Sequence, residues 1–477
     1  MSRRLSIRSS RPHESLHHEI RKNRNSALLT ISIFGSTQRE VNGMTVSSTE
    51  SSLEQSFKNS EDSAKVSREA WIVLALLTTA MAISFADRYV LAMLIEPIKA
   101  ELGFSDSQIG FITGIAFSAF YAVFGLLIAR VSDKYGVRKV IIGSLVAWSV
   151  MTALCGAAQN YFHMLITRFG VGAGEAGVSP AAHATLARLF PPSRRSLPLA
   201  VFSAGGPAGI MFALLVSGYL EAWAGWRWTF VIMSVPGVIL AAVIMRMQEL
   251  IPNRGASVSP ADSHENVSVV MRRLFKTPTF ISVNFLVSGL VFFAFGQAQW
   301  IPAYFERSFD VSRSELGLAL AFTQGFGMIV GVVVGGLFAD WLRALDHKWR
   351  AYFIVSTLFA AAPFAICVFL VGSVATASIL IGITTFMVAL PTGALWASVQ
   401  DATTEDHRAT GSAFTMMVAS LVGLGLGPFL IGVLSDLLYG TYGDDSLRYA
   451  LLYSVSAAAV LMLAPLTNLL LHARRDA

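Results

Sequence analysis

Residues 84–90 read Ser-Phe-Ala-Asp-Arg-Tyr-Val and lie inside an apolar run that extends from residue 70 to residue 94. A run of this length can cross a bilayer as a helix, which needs about 20 residues. An ionised side chain inside hydrocarbon costs at least about 2.5 kcal/mol, yet this run carries Asp87 and Arg88 side by side. Intramembrane charges usually mark a proton or substrate pathway. The alternative is a neutralised pair that serves only helix packing.

The composition of the whole chain extends this reading to a polytopic membrane protein. Of 477 residues, 54% are hydrophobic and only 14% are charged, more apolar surface than a soluble core can bury. The net charge of +6 does not indicate a nucleic-acid partner, because the basic residues lie in short loops on one side. The two cysteines, Cys155 and Cys367, lie in apolar runs and are expected to be buried. No metal-ligand spacing is present in the sequence, and no cofactor is expected.

The apolar runs predict an all-α membrane protein with twelve transmembrane helices, numbered here as spans 1 to 12. They cover residues 70–94, 107–132, 138–158, 162–189, 196–221, 227–248, 279–304, 313–339, 350–371, 375–399, 409–437 and 448–471. The loops after the even-numbered spans are rich in Lys and Arg, and the opposite loops are poor in them. By the positive-inside rule both termini are cytoplasmic. We expect an integral, multi-pass protein of a bacterial inner membrane.

The regions outside the spans are polar. Residues 1–68 are serine-rich and lack a sustained apolar period, which predicts disorder. Their basic first part resembles a transit peptide, but a start site called too early, with Met44 as the true initiator, is favoured. Residues 249–277 predict a cytoplasmic linker between one six-helix bundle, 69–248, and another, 278–473.

The two bundles are predicted to be repeats of each other. Charged residues recur at matching places, each offset by about half the membrane domain: Asp133 with Asp340, Arg195 with Arg408, and Arg227 with Arg448. Recurrence in the same order predicts two parallel, pseudo-symmetric six-helix halves.

These features resemble the major facilitator superfamily. The loop after span 2 (residues 129–139) and its second copy from Gly336 to Asp340 are similar to that family's acidic, glycine-containing and basic loop motif, and residues 205–209 to its Gly-Pro element. The first copy has Ala129 where the family usually has Gly, and the second copy lacks the later Gly and the paired basic residues. The resemblance implies gating roles for Asp133, Arg138 and Asp340, with Asp133 lying against the start of span 11.

Residues 85–89 and 167–176 resemble the Spinster branch of that superfamily. The superfamily resemblance implies a central cavity lined by spans 1 and 4, and the Spinster resemblance implies a substrate of the lysophospholipid or sphingosine-1-phosphate type. Residues 172–177 also fit a G-x-G-x-x-G pattern, but no strand or βαβ unit accompanies it. Small residues that allow membrane helices to approach closely explain this segment better.

Helix geometry predicts that three of the membrane charges, Asp87, Arg88 and Arg168, share one depth and that Glu175 lies further inward. At 1.5 Å per residue, Asp87 lies about 24 Å from the cytoplasmic start of span 1, and Arg168 about 20 Å from that face. Glu175 follows Arg168 by two turns on nearly the same face. We expect Asp87 and Glu175 to carry a coupling proton and Arg88 and Arg168 to bind an anionic head group. The alternative for these residues is a structural salt bridge.

The second half predicts a cavity wall of a different kind. Spans 7–12 carry no acid or base in the middle of the membrane, but they contain neutral polar and aromatic residues. From these we select Gln297, Trp300 and Trp396 as substrate-binding candidates, together with Tyr89 of span 1. A cavity that is charged on one wall and aromatic on the other suits an amphipathic molecule.

The sequence therefore favours a monomeric, proton-coupled transporter of an amphipathic lipid-like substrate that works by alternating access. A carrier of small organic anions or drugs is a second hypothesis. A membrane receptor that binds without transporting is a third, although the linker and tail offer no signalling domain. We predict no enzyme, because the spans contain only His163 and His183 as histidines and no nucleophile–base arrangement is discernible.

Overall fold

Helices account for nearly all of the chain that the computed structural model describes, which comprises residues 66–191, 194–247, 267–309, 311–345, 348–403 and 407–475. No strand occurs among these residues. The predictions for residues 1–65, including the alternative start at Met44, lie outside the described residues. Residues Arg68–Ala477 form one compact unit.

The first six-helix bundle follows the predicted order. Its helices are Arg68–Met93 and Ile95–Leu102, Asp106–Phe111, a π-helical segment Ile112–Ala116, Phe117–Tyr135, Val137–Cys155, Tyr161–Glu175, Val178–Leu189 and Ser196–Arg246. Span 2 begins at a capping box in which Ser105 accepts from the Gln108 N–H at 3.2 Å, while the Gln108 side chain accepts from the Ser105 N–H at 3.0 Å. This cap fixes where the helix starts.

The helices of this bundle differ from the predicted spans in two places. Span 4 is divided after Glu175, so that this acid lies at the end of a helix rather than in its middle. Spans 5 and 6 form one helical range in which Gly225 alone has a left-handed φ of 77°. Glycine is suited to that turn because it has no Cβ.

The second bundle begins after a short helix in the linker. The helices are Val267–Leu274, Pro278–Ser308, Arg313–Leu320, a π-helical segment Ala321–Phe326, Gly327–Leu345, Lys348–Cys367, Val374–Ala389, Thr392–Asp401, Arg408–Val418, a π-helical segment Ala419–Leu426, Gly427–Tyr442, a 3-10 turn Gly443–Asp445 and Ser446–Arg475. The linker helix buries Val270 and Leu274 against Phe280 and packs near Phe414. The described part of the linker is thus docked on the second bundle.

The twelve predicted spans are consistent with this set of helices. Nine ranges of the described residues are long and apolar enough to cross a membrane. Two of them, Leu197–Arg246 and Thr410–Leu471, contain 50 and 62 residues and hold two spans each. Span 4 adds the twelfth, since its two pieces are separately too short. Of the two cysteines, Cys155 is buried as expected, whereas the expectation for Cys367 was wrong, because it is exposed near the end of span 9.

The two bundles are joined at the end that the charge pattern predicts to be extracytoplasmic, called here the predicted outer end. Arg307 after span 7 pairs with both Glu96 and Asp106 of the first bundle at 2.7 Å. Asp436 accepts hydrogen bonds from the backbone N–H groups of Asp106 at 3.0 Å and Ser107 at 2.8 Å. A carboxylate at a helix N-terminus is favoured by the helix dipole. These contacts tie span 2 to spans 7 and 11.

Close backbone approach continues this junction toward the middle of the membrane. A Cβ at Gly114 would collide with the Gly425 carbonyl oxygen, and a Cβ at Gly110 with that of Pro428. Small residues of this kind allow membrane helices to pack through their backbones. One large cluster of buried apolar side chains draws on both bundles here, including Val90, Ile112, Tyr304 and Leu451. Both π-helical segments that meet at Gly114 and Gly425 lie in this junction.

Candidate functional site

The two acids and two arginines of the first bundle are brought together, and one pair is directly bonded. Arg88 donates from Nε at 2.8 Å to the carboxylate oxygen Oε2 of Glu175, and its Nη2 lies 2.7 Å from the same oxygen as an ion pair. The Ser84 hydroxyl donates to that oxygen as well, at 2.7 Å. The Glu175 side chain is fully buried, while 12% of the Arg88 side chain remains exposed. Spans 1 and 4 are therefore joined by a charge-assisted contact deep in the bundle.

Aromatic rings surround the Arg88 guanidinium. Its Cζ lies 4.9 Å from the ring centre of Phe85, 4.6 Å from that of Phe117 and 5.1 Å from that of Tyr121. A cation is attracted to the faces of such rings, most strongly where water is excluded. The rings hold the arginine in place without supplying a second counter-charge.

Asp87 turns away from Arg88 although the two residues are adjacent. It is fully buried and accepts a hydrogen bond from the Thr152 hydroxyl of span 3 to Oδ2 at 3.3 Å. Its other oxygen, Oδ1, has no hydrogen-bond partner among the described residues. Successive residues of a helix point about 100° apart, so the neighbours face different spans. The hypothesis of a neutralised Asp87–Arg88 pair is not supported by this geometry.

Arg168 is buried and only partly satisfied. It is 2% exposed, and its Nε and Nη1 atoms have no hydrogen-bond partner in the described part of the chain. It lies close enough to Asp87 for an electrostatic interaction, yet no carboxylate of the described residues lies within 4.0 Å of it. Its Cζ is 5.9 Å from the Phe117 ring centre. The arrangement leaves two of the three guanidinium nitrogens, Nε and Nη1, available as donors.

The remaining buried polar atoms of this cluster share that property. Oε1 of Glu175 and Nε1 of Trp148 also have no hydrogen-bond partner among the described residues. Each buried polar group that is left without a hydrogen bond costs about 1–3 kcal/mol. A cluster of this kind can accept a proton on a free carboxylate oxygen or bind an acidic ligand through free donors.

A cavity with a different lining lies mainly in the second bundle. It contains about 670 Å³ of empty space, part of it open to solvent, and its walls include Tyr89, Phe293, Phe295 and Gln297. Tyr89 follows Arg88 in the chain, and its ring centre lies 6.5 Å from that of Phe295. The charged cluster and this apolar cavity are thus adjacent through span 1. Tyr89 and Gln297, two of the predicted substrate-binding residues, line the cavity.

The two predicted tryptophans lie elsewhere. Trp300 is fully buried, and its Nε1 donates to the Pro428 carbonyl at 2.9 Å, so that it joins spans 7 and 11. Trp396 is partly buried against a separate apolar cluster of the second bundle that includes Leu395 and Val399. Neither residue lines the cavity just described.

The predicted gating residues are described only in part. The side chains of Asp133 and Asp340 lie outside the described residues, although both positions are helical. Arg138 donates from Nη2 to the Met245 carbonyl at 3.1 Å, which joins the start of span 3 to the end of span 6. The gating assignment stays a prediction.

Several residues of the cluster were not selected from the sequence: Ser84, Phe117, Tyr121, Trp148 and Thr152. Ser84 could have been found, since it precedes Arg88 by one helical turn and must share its face. The other four lie on spans 2 and 3, and their sequence carries no signal that separates them from ordinary packing residues. Among the described residues no group of three His, Cys, Asp or Glu side chains could hold a metal ion.

Comparison with known proteins gives consistent results. Residues 77–428 match the family model described as Major Facilitator Superfamily. An "MFS-type efflux pump" of Mycolicibacterium smegmatis is 32% identical over 82% of this chain and 90% of its own length. The "Hexuronate transporter" of Bacillus subtilis is 25% identical over 78% of this chain and 89% of its own length. "Protein spinster homolog 1" of Bos taurus is 26% identical over 76% of this chain and 73% of its own length.

A solved structure has the same fold. The crystal structure of a bacterial homologue of the human lysosomal transporter Spinster, in an inward-facing and unoccupied conformation, matches with a TM-score of 0.74. The match covers 86% of this chain and 98% of that one at 23% identity. The resemblance inferred from residues 85–89 and 167–176 is confirmed by these relatives. The helices, their repeat and the match over residues 77–428 lead to one conclusion: this chain belongs to the major facilitator superfamily.

Proposed function

We propose that this membrane transporter moves an amphipathic, lipid-like anion of the lysophospholipid or sphingoid phosphate type by proton-coupled alternating access. The observation that carries the proposal is the contrast between the two walls of the interior. Two buried acids and two arginines cluster in the first bundle, and an apolar aromatic cavity lies beside them through Tyr89, the neighbour of Arg88. A molecule with an anionic head and an apolar body matches both walls at once.

The arginines supply the head-group contacts. Arginine binds a phosphate through two parallel charge-assisted hydrogen bonds, which its planar fork favours. Arg168 has two unpartnered donors, and Arg88 retains an exposed fraction of its side chain. Tyr89 and Gln297 then contact the body of the substrate in the cavity.

Proton coupling follows from the shared oxygen of Glu175. A proton that binds this carboxylate removes its charge and weakens the contacts from Arg88, which frees the guanidinium for an anion. When the anion leaves, the proton dissociates and the pair reforms. Asp87 can act in the same way toward Arg168. Occupancy by proton and by substrate is thereby linked as a coupling free energy between two sites.

Alternating access requires the junction at the predicted outer end to open. Arg307 must then leave Glu96 and Asp106, and spans 2 and 11 must separate at Gly114 and Gly425. We further propose that Asp133 acts as a gate at the opposite end, so that Asp133→Asn shifts the population toward the state open to the cytoplasm. Labelling of cysteines introduced at both ends measures this shift, and unchanged labelling would contradict the gate.

A carrier of small organic anions or drugs is the second candidate, because relatives are named as an efflux pump and a hexuronate transporter. A hexuronate carries many hydroxyl groups and would need polar partners around its whole surface. The cavity instead presents Phe293, Phe295, Ile301 and Val388 among its walls. This lining favours the amphipathic substrate.

The decisive experiment uses purified protein in proteoliposomes. We expect labelled lysophosphatidic acid to accumulate only when a pH gradient is imposed, and labelled glucuronate not to accumulate. Uptake of glucuronate with none of the lysolipid would replace the proposal by the second candidate. Binding without gradient-dependent accumulation of either compound would favour a receptor.

Protease access to tags at the two termini tests the expected cytoplasmic orientation, and light scattering in detergent tests the expected monomer.

A further inference from the structure

Three buried polar side chains with unpartnered atoms line the cavity of the second bundle. Gln297 of span 7 is 5% exposed, Gln324 of span 8 is 5% exposed and Thr384 of span 10 is 7% exposed. All three are part of the cavity wall. Gln297 Oε1, Gln324 Oε1 and Thr384 Oγ1 have no hydrogen-bond partner among the described residues. Three spans thus each contribute one such residue to the wall of the same cavity.

The orientation of the Gln297 amide is fixed by its neighbours. Its nitrogen Nε2 donates to the Ser454 hydroxyl at 2.8 Å and lies 3.4 Å from the Leu451 carbonyl oxygen. A backbone carbonyl can only accept a hydrogen bond, so the nitrogen, and not the oxygen, must face span 12. The oxygen of Gln297 is therefore an acceptor that remains available.

Thr384 behaves differently from other buried threonines of the second bundle. Thr357 donates to the Phe353 carbonyl at 2.8 Å and Thr415 to the Gly411 carbonyl at 2.9 Å, four residues earlier in each helix. This is the usual way to satisfy a threonine hydroxyl inside a helix. Thr384 makes no such bond. Its hydroxyl therefore remains able both to donate and to accept a hydrogen bond.

Gln324 lies in an irregular part of its helix. The segment Ala321–Phe326 is π-helical, a geometry that is rare and occurs frequently at functional sites. The widened turn re-aims the side chains that follow it. The π-helical geometry is thus a second feature, besides the unpartnered oxygen, that distinguishes Gln324 from a glutamine that merely joins two helices.

The charge of the cavity wall limits the ligand. Tyr89 is the one titratable residue among the described residues that line it. A phosphate or an ammonium group would therefore meet no counter-charge there, which makes its burial costly. A neutral group that both donates and accepts hydrogen bonds, such as a hydroxyl or an amide, meets complementary partners.

We propose that Gln297, Gln324 and Thr384 form a specificity subsite for a hydroxyl or amide group on the apolar body of the substrate. The assignment of the other end of that substrate to Arg88 and Arg168 rests on the proposed function. The subsite makes this protein selective for amphipathic molecules whose body carries a hydrogen-bond donor. A substrate with a plain hydrocarbon body still binds through its head group, but it leaves these three atoms unpaired and therefore binds less tightly than an analogue that carries a donor.

The test uses two matched pairs of probes with the protein in lipid nanodiscs and with empty nanodiscs as background. The anionic pair is 10-hydroxydecyl phosphate and 10-methoxydecyl phosphate, and the neutral pair is 1-octanol and 1-methoxyoctane. Each methyl ether retains an acceptor but has no donor. We expect the hydroxyl compound of each pair to bind about tenfold more tightly, the effect of one well-made hydrogen bond.

Variants then locate the effect. The double variant Gln324→Leu/Thr384→Val should reduce the preference in both pairs to less than about threefold. Gln299→Leu is the matched control, since Gln299 is also buried on span 7 but does not line the cavity. It should leave the preference unchanged.

The outcomes separate this subsite from the proposed function. A hydroxyl preference in the neutral pair, with no tighter binding of the phosphates, supports the subsite and contradicts the anionic head group. Equal binding within both pairs overturns the subsite even if the phosphates bind tightly. A preference that survives in the double variant overturns it too, as does the absence of binding by all four probes to the wild-type protein. The wild-type measurements decide the question even if a variant does not fold.

Discussion

The interiors of the two bundles contain different kinds of side chain, charged in the first bundle and mainly apolar in the second. The first bundle buries Asp87, Arg88, Arg168 and Glu175 between its ends. Among the described residues, the second bundle confines its buried charges to its ends, as in the ion pair of Arg350 with Asp401. Charges that lie together offset part of one another's cost of burial, whereas a lone charge in the opposite wall would have no partner. Concentrating charge on one wall leaves the other free to bind apolar groups.

The largest effect is expected when charge is removed from the first bundle. Glu175→Gln and Asp87→Asn should each abolish uptake driven by a pH gradient, because an amide cannot carry the proton. Binding of a lysophosphatidic acid should remain measurable. Proteoliposome uptake and equilibrium binding check the two statements.

A matched control for these variants is Asp445→Asn. Asp445 also has an arginine partner, with Oδ1 at 3.9 Å from Nη1 of Arg448, but it is half-exposed at an end of the bundle. This variant should accumulate substrate normally. If Glu175→Gln or Asp87→Asn still accumulates substrate uphill, that residue does not carry the proton, and a structural salt bridge explains it better.

The second-largest effect is expected on the stability of the protein when the cation of the buried pair is removed. Arg88→Met should lower the free energy of unfolding by about 3–5 kcal/mol, since it leaves the buried Glu175 without its cation. The double variant Arg88→Met/Glu175→Met should recover most of that loss. Denaturant unfolding in detergent measures both.

The equivalent truncation in the second bundle provides the contrast. Gln324→Leu removes a buried polar group that has no partner for its oxygen, so stability should change by less than about 1 kcal/mol or increase. A loss below about 1 kcal/mol for Arg88→Met would contradict the difference between the two interiors.

A smaller effect is expected when the positive charge is kept and the shape of the charged group is changed. Arg168→Lys should weaken binding of lysophosphatidic acid about tenfold, because an ammonium group cannot form the two parallel hydrogen bonds of a guanidinium. Arg227→Lys is the control, since Arg227 pairs with Glu101 at the surface. Titration calorimetry measures both affinities. Wild-type affinity in Arg168→Lys would assign this residue to electrostatic packing instead of recognition.

The smallest effect concerns an exposed pair of the same first bundle. Hydrogen bonds from Arg227 and Trp226 lower the pKa of Glu101 in the folded protein. Its contribution is therefore present above the unfolded pKa of about 4.3 and is lost as the pH falls through the lower folded value. Glu101→Gln should cost less than about 1 kcal/mol at pH 7, as is usual for exposed pairs.

The pH dependence tests the cause of that small cost. The difference between Glu101→Gln and the wild-type protein should shrink as the pH is lowered from 5 toward 3, because the wild-type carboxylate becomes protonated. Melting temperatures in detergent across this range measure it. A difference that stays constant over the range would mean that the loss of the negative charge is not responsible.

The sequence alone determined the spans and their pseudo-symmetric repeat, and it predicted the depth of the charges. Apolar length and the positions of charged residues suffice for this, since both follow from the thickness of the bilayer and the rise of a helix. It also determined that Glu175 and Arg168 share a face of span 4. The resemblance at residues 85–89 and 167–176 indicated the Spinster branch within the superfamily.

The tertiary structure alone decided which charges pair. Arg88 contacts Glu175, 87 residues away, and not the adjacent Asp87, which accepts from Thr152 instead. It also decided that Trp300 joins helices while Gln324 and Thr384 line the cavity. The physical reason is that the sequence fixes the face of a helix on which a residue lies, whereas the rotation of each helix against its neighbours follows from the packing of all spans together.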